Sequence, residues 1–295
     1  MMMKKVLAVV FALALAVGAS AQKTVSLEGA DERARLWDNS TAQHSNYESR
    51  DEVFYKNRAF MQTSSCELYI FKAAEGKNTG AAVALYPGGG YIRLNVAKWL
   101  VDWLTSQGIT VAIVKYRLPN VGHYQATIED GMGAVRYLRT RTDLGIDPNK
   151  VGVMGSSAGG HLASWVSNAM ADGEKPAFAV LLYPWIDLAN SHSKAQFSAL
   201  TQLLGNGYTL QDAINLSTHH MVSTTTSPTM LLLSDNDKTV SSEDSANYYE
   251  ALIRHNVKAS MHIFPFGGHS VSKHTAEFQP LVIEWLKYLG IISKK

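Results

Sequence analysis

The sequence predicts an α/β fold, with a mostly parallel central sheet and helices on both faces. Three observations support this. Short apolar runs alternate with helical segments, a glycine-flanked serine stands where one apolar run meets a helix, and polar residues follow several apolar runs. Strands that alternate with helices indicate βαβ units, and therefore parallel strands. A chain of 295 residues can form one such domain,.

The chain starts with a pattern typical of a secretory signal peptide. Met1–Lys5 is charged, Val6–Val17 is apolar but too short to span a bilayer, and Ala19–Ala21 reads A-S-A, a cleavage site,. We therefore expect residues 1–21 to be removed after export. Residues 22–295 would then form a single domain, secreted or in the periplasm of a bacterial cell.

Composition argues against three features: nucleic-acid binding, a further membrane-spanning segment and an intramolecular disulfide. Cleavage removes Lys4 and Lys5 and no acid, so the formal net charge falls from +2 to 0. The sequence thus gives no indication of nucleic-acid binding. No other apolar run is long enough to cross a membrane. Cys66 is the only cysteine, so the chain has no intramolecular disulfide.

The expected elements follow in chain order. Residues 22–63 are polar and aromatic with little periodicity, which predicts an irregular lead-in lying over the domain. Apolar runs predict the strands Glu67–Lys72, Ala81–Tyr86, Ile109–Lys115, Val151–Met154, Phe178–Tyr183, Met230–Leu233 and Ser260–Phe264,. Helical spacing predicts the helices Val96–Leu104, Gln125–Arg139, Ser242–His255 and Ala276–Leu289, and another directly after Ser157,.

Residues 189–227 interrupt the alternation of strands and helices. They contain the helical fragments Ala195–Leu204 and Leu210–Leu216 but no predicted strand. We expect a small partial cap over the active site, with a structured crossover as the alternative. Farther along the chain, Ser241 and Asp244 resemble a capping box for the helix that follows,.

The segment around Ser157 predicts a nucleophilic serine on a tight turn. Gly155–Gly159 reads G-S-S-A-G and joins the strand Val151–Met154 to a helix of small residues. Glycines two positions before and after the apex let the chain turn without a Cβ clash, and only Ser157 has both,. The turn would expose its hydroxyl at the positive end of the helix. Because G-x-S-x-G alone is a weak signal, its chemical partners must be found elsewhere.

Two loops farther along the chain supply these partners. A serine hydroxyl needs a base for its proton, and the base needs an acid that holds its tautomer. In a parallel sheet such groups follow the carboxyl ends of strands. Asp235 and Asp237 follow one predicted strand, and we prefer Asp237 because it lies farther past the strand end. His269 follows another strand and a glycine pair, whereas other histidines lie inside a strand or beside helices: His262, His161 and His274.

A glycine-rich loop predicts donors for a developing oxyanion. Pro87–Tyr91 (PGGGY) directly follows the strand Ala81–Tyr86, and its three glycines let backbone N–H groups point at one position,. The N–H of Ala158, next after the serine, is a further expected donor. A phosphate-binding loop would need a Gly-Lys-Ser/Thr ending, which this loop lacks,.

Together these segments resemble the α/β-hydrolase esterase/lipase superfamily, and more narrowly the secreted bacterial carbohydrate esterases of the acetyl-xylan-esterase-like group. The stretches that carry the resemblance are Trp37–Asn46, Tyr86–Leu94, Val114–Leu118, Val151–Ala163, Leu233–Val240 and Phe266–Ser270. The resemblance implies an α/β-hydrolase fold and covers nearly all of residues 22–295.

The resemblance also implies a role for each candidate residue. Ser157 would be the nucleophile, Asp237 the acid and His269 the base. The oxyanion donors by analogy are Gly89, Gly90 and Ala158. Val240 stands three residues after Asp237, where the family carries a branched apolar residue. Pro87 departs from the histidine that many relatives carry before the glycines, which leaves the choice among the three glycines open.

The resemblance and the signal peptide lead us to expect a serine carboxylesterase that removes acetyl groups from plant polysaccharide or oligosaccharide. Feruloyl esterase is the nearest alternative, and its aromatic pocket would use Tyr91, Trp185 and residues 189–227. Tyr91 is therefore our candidate substrate contact. A hydrolase fold that only binds carbohydrate is the alternative from another class.

We expect no organic cofactor, because acyl transfer by a serine needs none. His219 and His220 adjoin, but no third ligand stands at metal spacing, so we expect no metal site,. Peptidases of this superfamily usually carry a further domain that gates substrate, so a peptidase is not our expectation. The sequence does not indicate an oligomeric state.

Overall fold

The computed structural model describes residues 27–56 and 58–293, so the signal peptide predicted for residues 1–21 lies outside the described residues. The described strands are β1 (Glu32–Asp38), β2 (Val53–Tyr55), β3 (Ala59–Met61), β4 (Ser65–Phe71), β5 (Ala82–Tyr86), β6 (Leu94–Asn95), β7 (Thr110–Lys115), β8 (Val151–Ser156), β9 (Ala179–Leu182), β10 (Thr229–Ser234) and β11 (Ala259–Phe264). The described helices are α1 (Lys98–Ser106), α2 (Tyr124–Thr140), α3 (Ala158–Ala169), α4 (Lys194–Leu204), α5 (Leu210–Leu216), α6 (Ser242–Arg254) and α7 (Thr275–Tyr288). No helix within these ranges combines the length and the apolar character that crossing a bilayer needs.

Eight strands form one mixed, mostly parallel sheet in the order β1-β4-β7-β5-β8-β9-β10-β11. The last six strands in this order, which are β7, β5, β8, β9, β10 and β11, run parallel to one another. The strand β4 is antiparallel to both of its neighbours, β1 and β7. β4, β5 and β7 are buried along their whole length, as expected for strands covered on both faces,. The predicted α/β class and mostly parallel sheet are therefore confirmed.

Helices cover both faces of this sheet because the chain crosses over in two directions. The connection through α1 leads from β5 to β7, whereas the connection through α3 leads the opposite way, from β8 to β9. Right-handed crossovers in opposite directions put their helices on opposite faces. On one face, Trp99 and Trp103 of α1 pack edge-on against Phe278 of α7. On the other face, Asn168 of α3 donates to the Tyr248 hydroxyl of α6 at 3.1 Å.

The direction of winding reverses between the adjacent strands β5 and β8. Ligands of open α/β sheets bind outside the carboxyl ends of the strands at such a point. The register pairs Tyr86, the last residue of β5, with Gly155 of β8. The glycine loop that follows Tyr86 and the serine turn that follows Gly155 therefore leave the sheet side by side.

The lead-in contains regular structure, so the expectation of an irregular segment over residues 22–63 is wrong for its described part. β1 adds to the sheet beside β4, while β2 and β3 join β6 in a separate three-stranded sheet. The pattern of β1 is hard to recognise because its register shifts at a bulge between Arg35 and Trp37. A bulge interrupts the alternation of apolar and polar residues by which a strand is recognised.

Buried polar contacts fasten the lead-in to the rest of the domain. Trp37 Nε1 donates to Asp130 Oδ1 at 2.5 Å, and Asn46 Nδ2 donates to the Leu118 carbonyl at 2.7 Å. The fully buried guanidinium of Arg117 forms an ion pair with Asp130 at 2.7 Å. Two stretches that carry the family resemblance, one in the lead-in and one at the end of β7, thus meet in one hydrogen-bonded network.

Ser241 caps α6, although without the box predicted with Asp244. The Ser241 hydroxyl accepts a hydrogen bond from the Glu243 N–H at 3.2 Å. The Asp244 carboxylate is buried and accepts instead from the Asp187 N–H at 3.3 Å and from Asn190 Nδ2 at 3.4 Å. The box does not form because Asp244 faces the protein interior rather than the start of its own helix.

Candidate active site

Ser157 lies at the apex of the turn that joins β8 to α3. Its φ is +53°, a value that residues with a Cβ seldom adopt and that is expected at a strained nucleophile turn,. A Cβ at Gly155 would lie 2.1 Å from the Gly159 carbonyl oxygen, and a Cβ at Gly159 would lie 2.1 Å from the Tyr86 carbonyl oxygen. Backbone contact therefore requires both glycines, which is the reason for preferring Ser157 to Ser156.

His269 bridges Ser157 and Asp237. Its Nε2 lies 2.8 Å from the Ser157 hydroxyl, and its Nδ1 lies 2.7 Å from Asp237 Oδ2. The ionised carboxylate can only accept hydrogen bonds, so Nδ1 of the neutral ring carries the proton and Nε2 is the acceptor. The imidazole is thus oriented to take the proton of the serine hydroxyl. The structure brings together the three side chains that the sequence predicts to act together.

Asp237 is held in place by the backbone that follows it. Its Oδ1 accepts from the N–H groups of Thr239 at 2.8 Å and Val240 at 3.1 Å. Its side chain is only 3% exposed. Val240 is buried, which keeps its N–H in position beneath the carboxylate. Asp235, the other carboxylate of this loop, is exposed.

Both ring nitrogens of His161 form hydrogen bonds with groups other than Ser157. The ring is buried, with Nε2 2.8 Å from the Leu216 carbonyl and Nδ1 2.6 Å from the Tyr91 hydroxyl. Burial lowers the pKa of His161 to about 4, so its ring is neutral. Nε2 therefore donates to the carbonyl, and Nδ1 accepts from the phenol. His262 and His274 also form hydrogen bonds with groups close to them in sequence.

Tyr91 lies behind the glycine loop, which corrects the expectation that it contacts substrate. Its side chain is 1% exposed and is not part of the cavity wall beside Ser157. Left-handed backbone at Gly90 and Tyr91, with φ of +63° and +57°, turns the chain at this point. The two residues that follow, Ile92 and Arg93, line the cavity instead. Tyr91 thus supports the loop from within the protein.

The glycine loop forms the wall of the cavity next to the serine. The backbone groups at this wall belong to Gly88, Gly89, Gly90 and Ala158. A Cβ at Gly88 would lie 2.4 Å from the Ser156 carbonyl oxygen, so the loop packs directly against the end of β8. Among the described residues, no backbone carbonyl accepts from the N–H of Gly89, Gly90 or Ala158. These groups are therefore free to donate to a ligand atom.

The cavity has a volume of about 490 Å³ and mixed walls. Aromatic side chains on its walls are Trp99, Tyr183 and Trp185, polar ones are Arg93, Asn95 and Gln196, and α4 adds Ala195 and Ala199. Sequence reasoning named Trp185 individually among these and included the α4 residues only as part of the expected cap, residues 189–227. Arg93 and Asn95 follow the glycine loop closely, and that proximity is a signal that could have found them. Gln196 lies within the expected cap, but no sequence signal distinguishes it from its neighbours, because its place depends on how α4 packs.

Two buried N–H groups of this wall have no acceptor among the described residues, namely Gln196 Nε2 and Trp185 Nε1. The orientation of the Gln196 amide is fixed, since its Oε1 accepts from the Ser193 N–H at 3.1 Å as part of the cap of α4. An unpaired buried donor costs roughly 1–3 kcal/mol. Both nitrogens are almost wholly covered, so a ligand oxygen can pair with either group only if a neighbouring side chain moves.

Comparison with known proteins relates the chain to esterases and to one peptidase family. A family model described as the prolyl oligopeptidase family matches residues 95–289. An acetylxylan esterase of Xylanibacter ruminicola is 32% identical over 217 residues, which are 71% of this chain and 43% of that protein. An ethyl acetate hydrolase of Pseudomonas putida is 30% identical over 139 residues, 45% of this chain and 42% of that protein. The chain thus spans less than half the length of these curated relatives.

Two solved structures are similar in fold. An acetyl ester-xyloside bifunctional hydrolase from Caldicellulosiruptor lactoaceticus has a TM-score of 0.71 at 31% identity, covering 78% of this chain and 90% of that chain. A propionate-bound esterase from Thermogutta terrifontis has a TM-score of 0.68 at 19% identity, covering 92% of this chain and 98% of that chain. Each likeness therefore covers more than three quarters of this chain.

Proposed function

The chain belongs to the prolyl oligopeptidase family of α/β-hydrolases, and on that basis we propose that it is a serine carboxylic ester hydrolase. The observation that carries this proposal is the hydrogen-bonded series from Ser157 through His269 to Asp237, which opens into a cavity beside unpaired backbone N–H groups. A base, an acid and oxyanion donors are what a serine hydroxyl needs for acyl transfer.

In the proposed acylation step, Ser157 Oγ attacks the ester carbonyl while His269 Nε2 takes the hydroxyl proton. The Asp237 carboxylate stabilises the imidazolium that results. The negative oxygen of the tetrahedral intermediate accepts from the N–H groups of Gly89, Gly90 and Ala158. His269 then gives the proton to the leaving alcohol as the ester bond breaks, which leaves an acyl-serine.

In the proposed deacylation step, a water molecule enters where the alcohol left. His269 Nε2 takes one of its protons, and the resulting hydroxide attacks the acyl carbonyl. The same N–H groups donate hydrogen bonds to the second oxyanion. When this intermediate collapses, the proton returns from His269 to Ser157 Oγ and the carboxylic acid is released. No cofactor is needed in either step, because every proton moves between His269, the serine and the substrates.

We propose acetylated plant polysaccharide or oligosaccharide as the substrate. The names of the related acetylxylan esterase and of the acetyl ester-xyloside hydrolase support this choice. The unpaired donors Gln196 Nε2 and Trp185 Nε1 support it as well. An aliphatic substrate would leave both donors unpaired, whereas a sugar hydroxyl would pair with one of them once the side chain that covers the nitrogen moves.

Two features away from the catalytic atoms belong to the same proposal. Residues 189–227 would act as a partial cap, because α4 supplies Ala195, Gln196 and Ala199 to the cavity wall. Residues 1–21 would direct the chain to secretion or the periplasm, where polysaccharide fragments are met,.

The decisive experiment compares wild type with Ser157→Ala. We expect wild type to release acetate from acetylated xylan and to hydrolyse 4-nitrophenyl acetate, and Ser157→Ala to lose nearly all of both activities. Ser156→Ala is the matched control, since this neighbour lies outside the hydrogen-bonded series. Equal activity in Ser157→Ala and wild type would reject the mechanism. A fluorophosphonate probe that fails to label folded wild type would favour a hydrolase fold that only binds carbohydrate.

A feruloyl esterase is the second candidate, favoured by the aromatic side chains Trp99, Tyr183 and Trp185 on the cavity wall. Methyl ferulate tested beside acetylated xylan separates the two substrates by kcat/KM. A prolyl-peptide anilide in the same assay tests the peptide-bond cleavage that the family name suggests. Preference for either of these over acetyl esters would replace the proposed substrate while leaving the mechanism in place.

A further inference from the structure

A second cavity lies next to the one above Ser157. Its volume is about 900 Å³, and it shares Asn95, Val96 and Trp99 with the first. Its far walls come from the segment before β1 and from the region of β2, including Phe54 and Arg58. We call this second cavity the β2 groove. Because three residues belong to both walls, the groove lies directly beside the cavity that contains the serine, and an extended ligand bound at the serine would lead toward it.

The walls of the β2 groove combine aromatic faces with charged and amide groups. Trp99 is 38% exposed and its ring packs against Phe278, so the exposed ring is held from behind. Phe54 is half-buried and stacks on Phe60 with ring centroids 4.5 Å apart. Arg58 is exposed at the rim. Rigid aromatic platforms beside a few polar groups suit a sugar, which has apolar C–H faces and hydroxyls at its edges.

We propose that the β2 groove binds further sugar units of an acetylated oligo- or polysaccharide, on the alcohol side of the ester that Ser157 attacks. This inference rests on the proposed function, since an acetyl group is too small to extend beyond the first cavity. Only the alcohol portion of such a substrate can reach Phe54 and Arg58. The groove then selects a chain of sugars over a single acetylated sugar.

The test measures KM on acetylated xylo-oligosaccharides of increasing length. We expect the KM of wild type to fall as sugar units are added. Phe54→Ala and Arg58→Ala should raise KM about five- to tenfold on the longer substrates, a loss of the size expected for one aromatic or one charged contact. Their KM for 4-nitrophenyl acetate should stay within about twofold of wild type, because this ester is too short to reach them.

Matched controls come from residues outside the groove. Tyr55→Ala removes an exposed aromatic side chain that neighbours Phe54 in sequence. Because successive side chains of a strand alternate, Tyr55 lies on the face of β2 opposite to Phe54,. Arg254→Ala removes an exposed arginine on α6. In both control variants, KM should depend on the number of sugar units as it does in wild type. If Phe54→Ala and Arg58→Ala also show the wild-type dependence of KM on the number of sugar units, the inference is overturned and the proposed function stands.

The proposed function and the proposed binding of sugars in the β2 groove can be rejected independently of each other. If wild type hydrolyses 4-nitrophenyl acetate but releases no acetate from any sugar, the carbohydrate substrate and the groove are both rejected. If the KM of wild type does not change with sugar number, the groove alone is rejected. Arg58 is exposed, so its replacement keeps the test valid even where Phe54→Ala lowers the Tm.

Discussion

Replacement of Asp237 with asparagine tests the proposed proton path at a single atom. Asp237 Oδ1 accepts from the N–H groups of Thr239 and Val240, at 2.8 and 3.1 Å, while Oδ2 lies 2.7 Å from His269 Nδ1. Asparagine has one carbonyl oxygen and one NH₂ group. Two backbone donors fix that oxygen at the Oδ1 position. The NH₂ group must then face His269 Nδ1.

The size of the expected loss follows from the tautomer. A donor that faces Nδ1 makes this nitrogen the acceptor, so the ring proton moves to Nε2. A protonated Nε2 cannot take the Ser157 proton. The equivalent substitution in a serine protease lowers kcat by about 10⁴, which corresponds to about 5.4 kcal/mol at ~1.36 kcal/mol for each factor of ten. We expect Asp237→Asn to lower kcat on 4-nitrophenyl acetate by about 10³–10⁴.

The assay needs a control for folding and one for charge. The Tm of Asp237→Asn should stay close to that of wild type, because its oxygen still accepts from Thr239 and Val240. Asp235→Asn removes a carboxylate from the same loop at an exposed position, so its kcat should be that of wild type. A folded Asp237→Asn protein that keeps more than about a tenth of the wild-type kcat would refute the tautomer argument.

Three further substitutions test other contacts. In Gly159→Ala, a Cβ would lie 2.1 Å from the Tyr86 carbonyl oxygen, so we expect a clearly lower Tm by calorimetry; an unchanged Tm contradicts the packing. Gln196→Glu keeps the oxygen that caps α4 but removes the buried donor. Its kcat/KM should fall about tenfold on sugar acetates and little on 4-nitrophenyl acetate; equal losses would count against sugar binding. Burial raises the pKa of Asp244 to about 7, above its unfolded value near 4,. The stability that this carboxyl gains in its protonated form is therefore present below about pH 4 and lost as the pH rises through 7. Urea unfolding of Asp244→Asn should show a smaller loss over that interval, and a parallel loss in both proteins would exclude Asp244 as its source.

The segments that sequence reasoning located best are those whose pattern is local. α5 has the predicted bounds Leu210–Leu216, and the apolar run of β8 together with two glycines four positions apart predicts the serine turn. Such elements need no knowledge of their neighbours. β1 was missed because an edge strand with a bulge has a pattern that only its partner β4 explains.

The residues of the candidate site likewise differ in whether a local sequence pattern is enough to identify them. Sequence order and strand ends were enough to nominate Ser157, His269 and two aspartates, but not to choose between Asp235 and Asp237 by contact. That choice needs the distance to His269, which depends on how two loops approach each other. Tyr91 was misjudged because a left-handed turn at Gly90 decides which side of the loop its ring occupies. Gln196 lies in the expected cap of residues 189–227, but only the packing of α4 shows that it, rather than its neighbours, faces the cavity wall.

Catalysis and substrate choice therefore depend on different parts of the chain. The atoms proposed to carry out acyl transfer follow strands of the parallel sheet, and close backbone contacts such as Gly155 with Gly159 fix their positions. Many of the walls that would choose the substrate come from the lead-in, from the segment after the glycine loop and from α4, whereas Tyr183 and Trp185 directly follow β9. Substitutions in those walls should change KM for sugar substrates without changing how fast a fluorophosphonate labels Ser157. A wall variant such as Arg58→Ala that slowed labelling as much as it weakened sugar binding would show that the two parts are coupled.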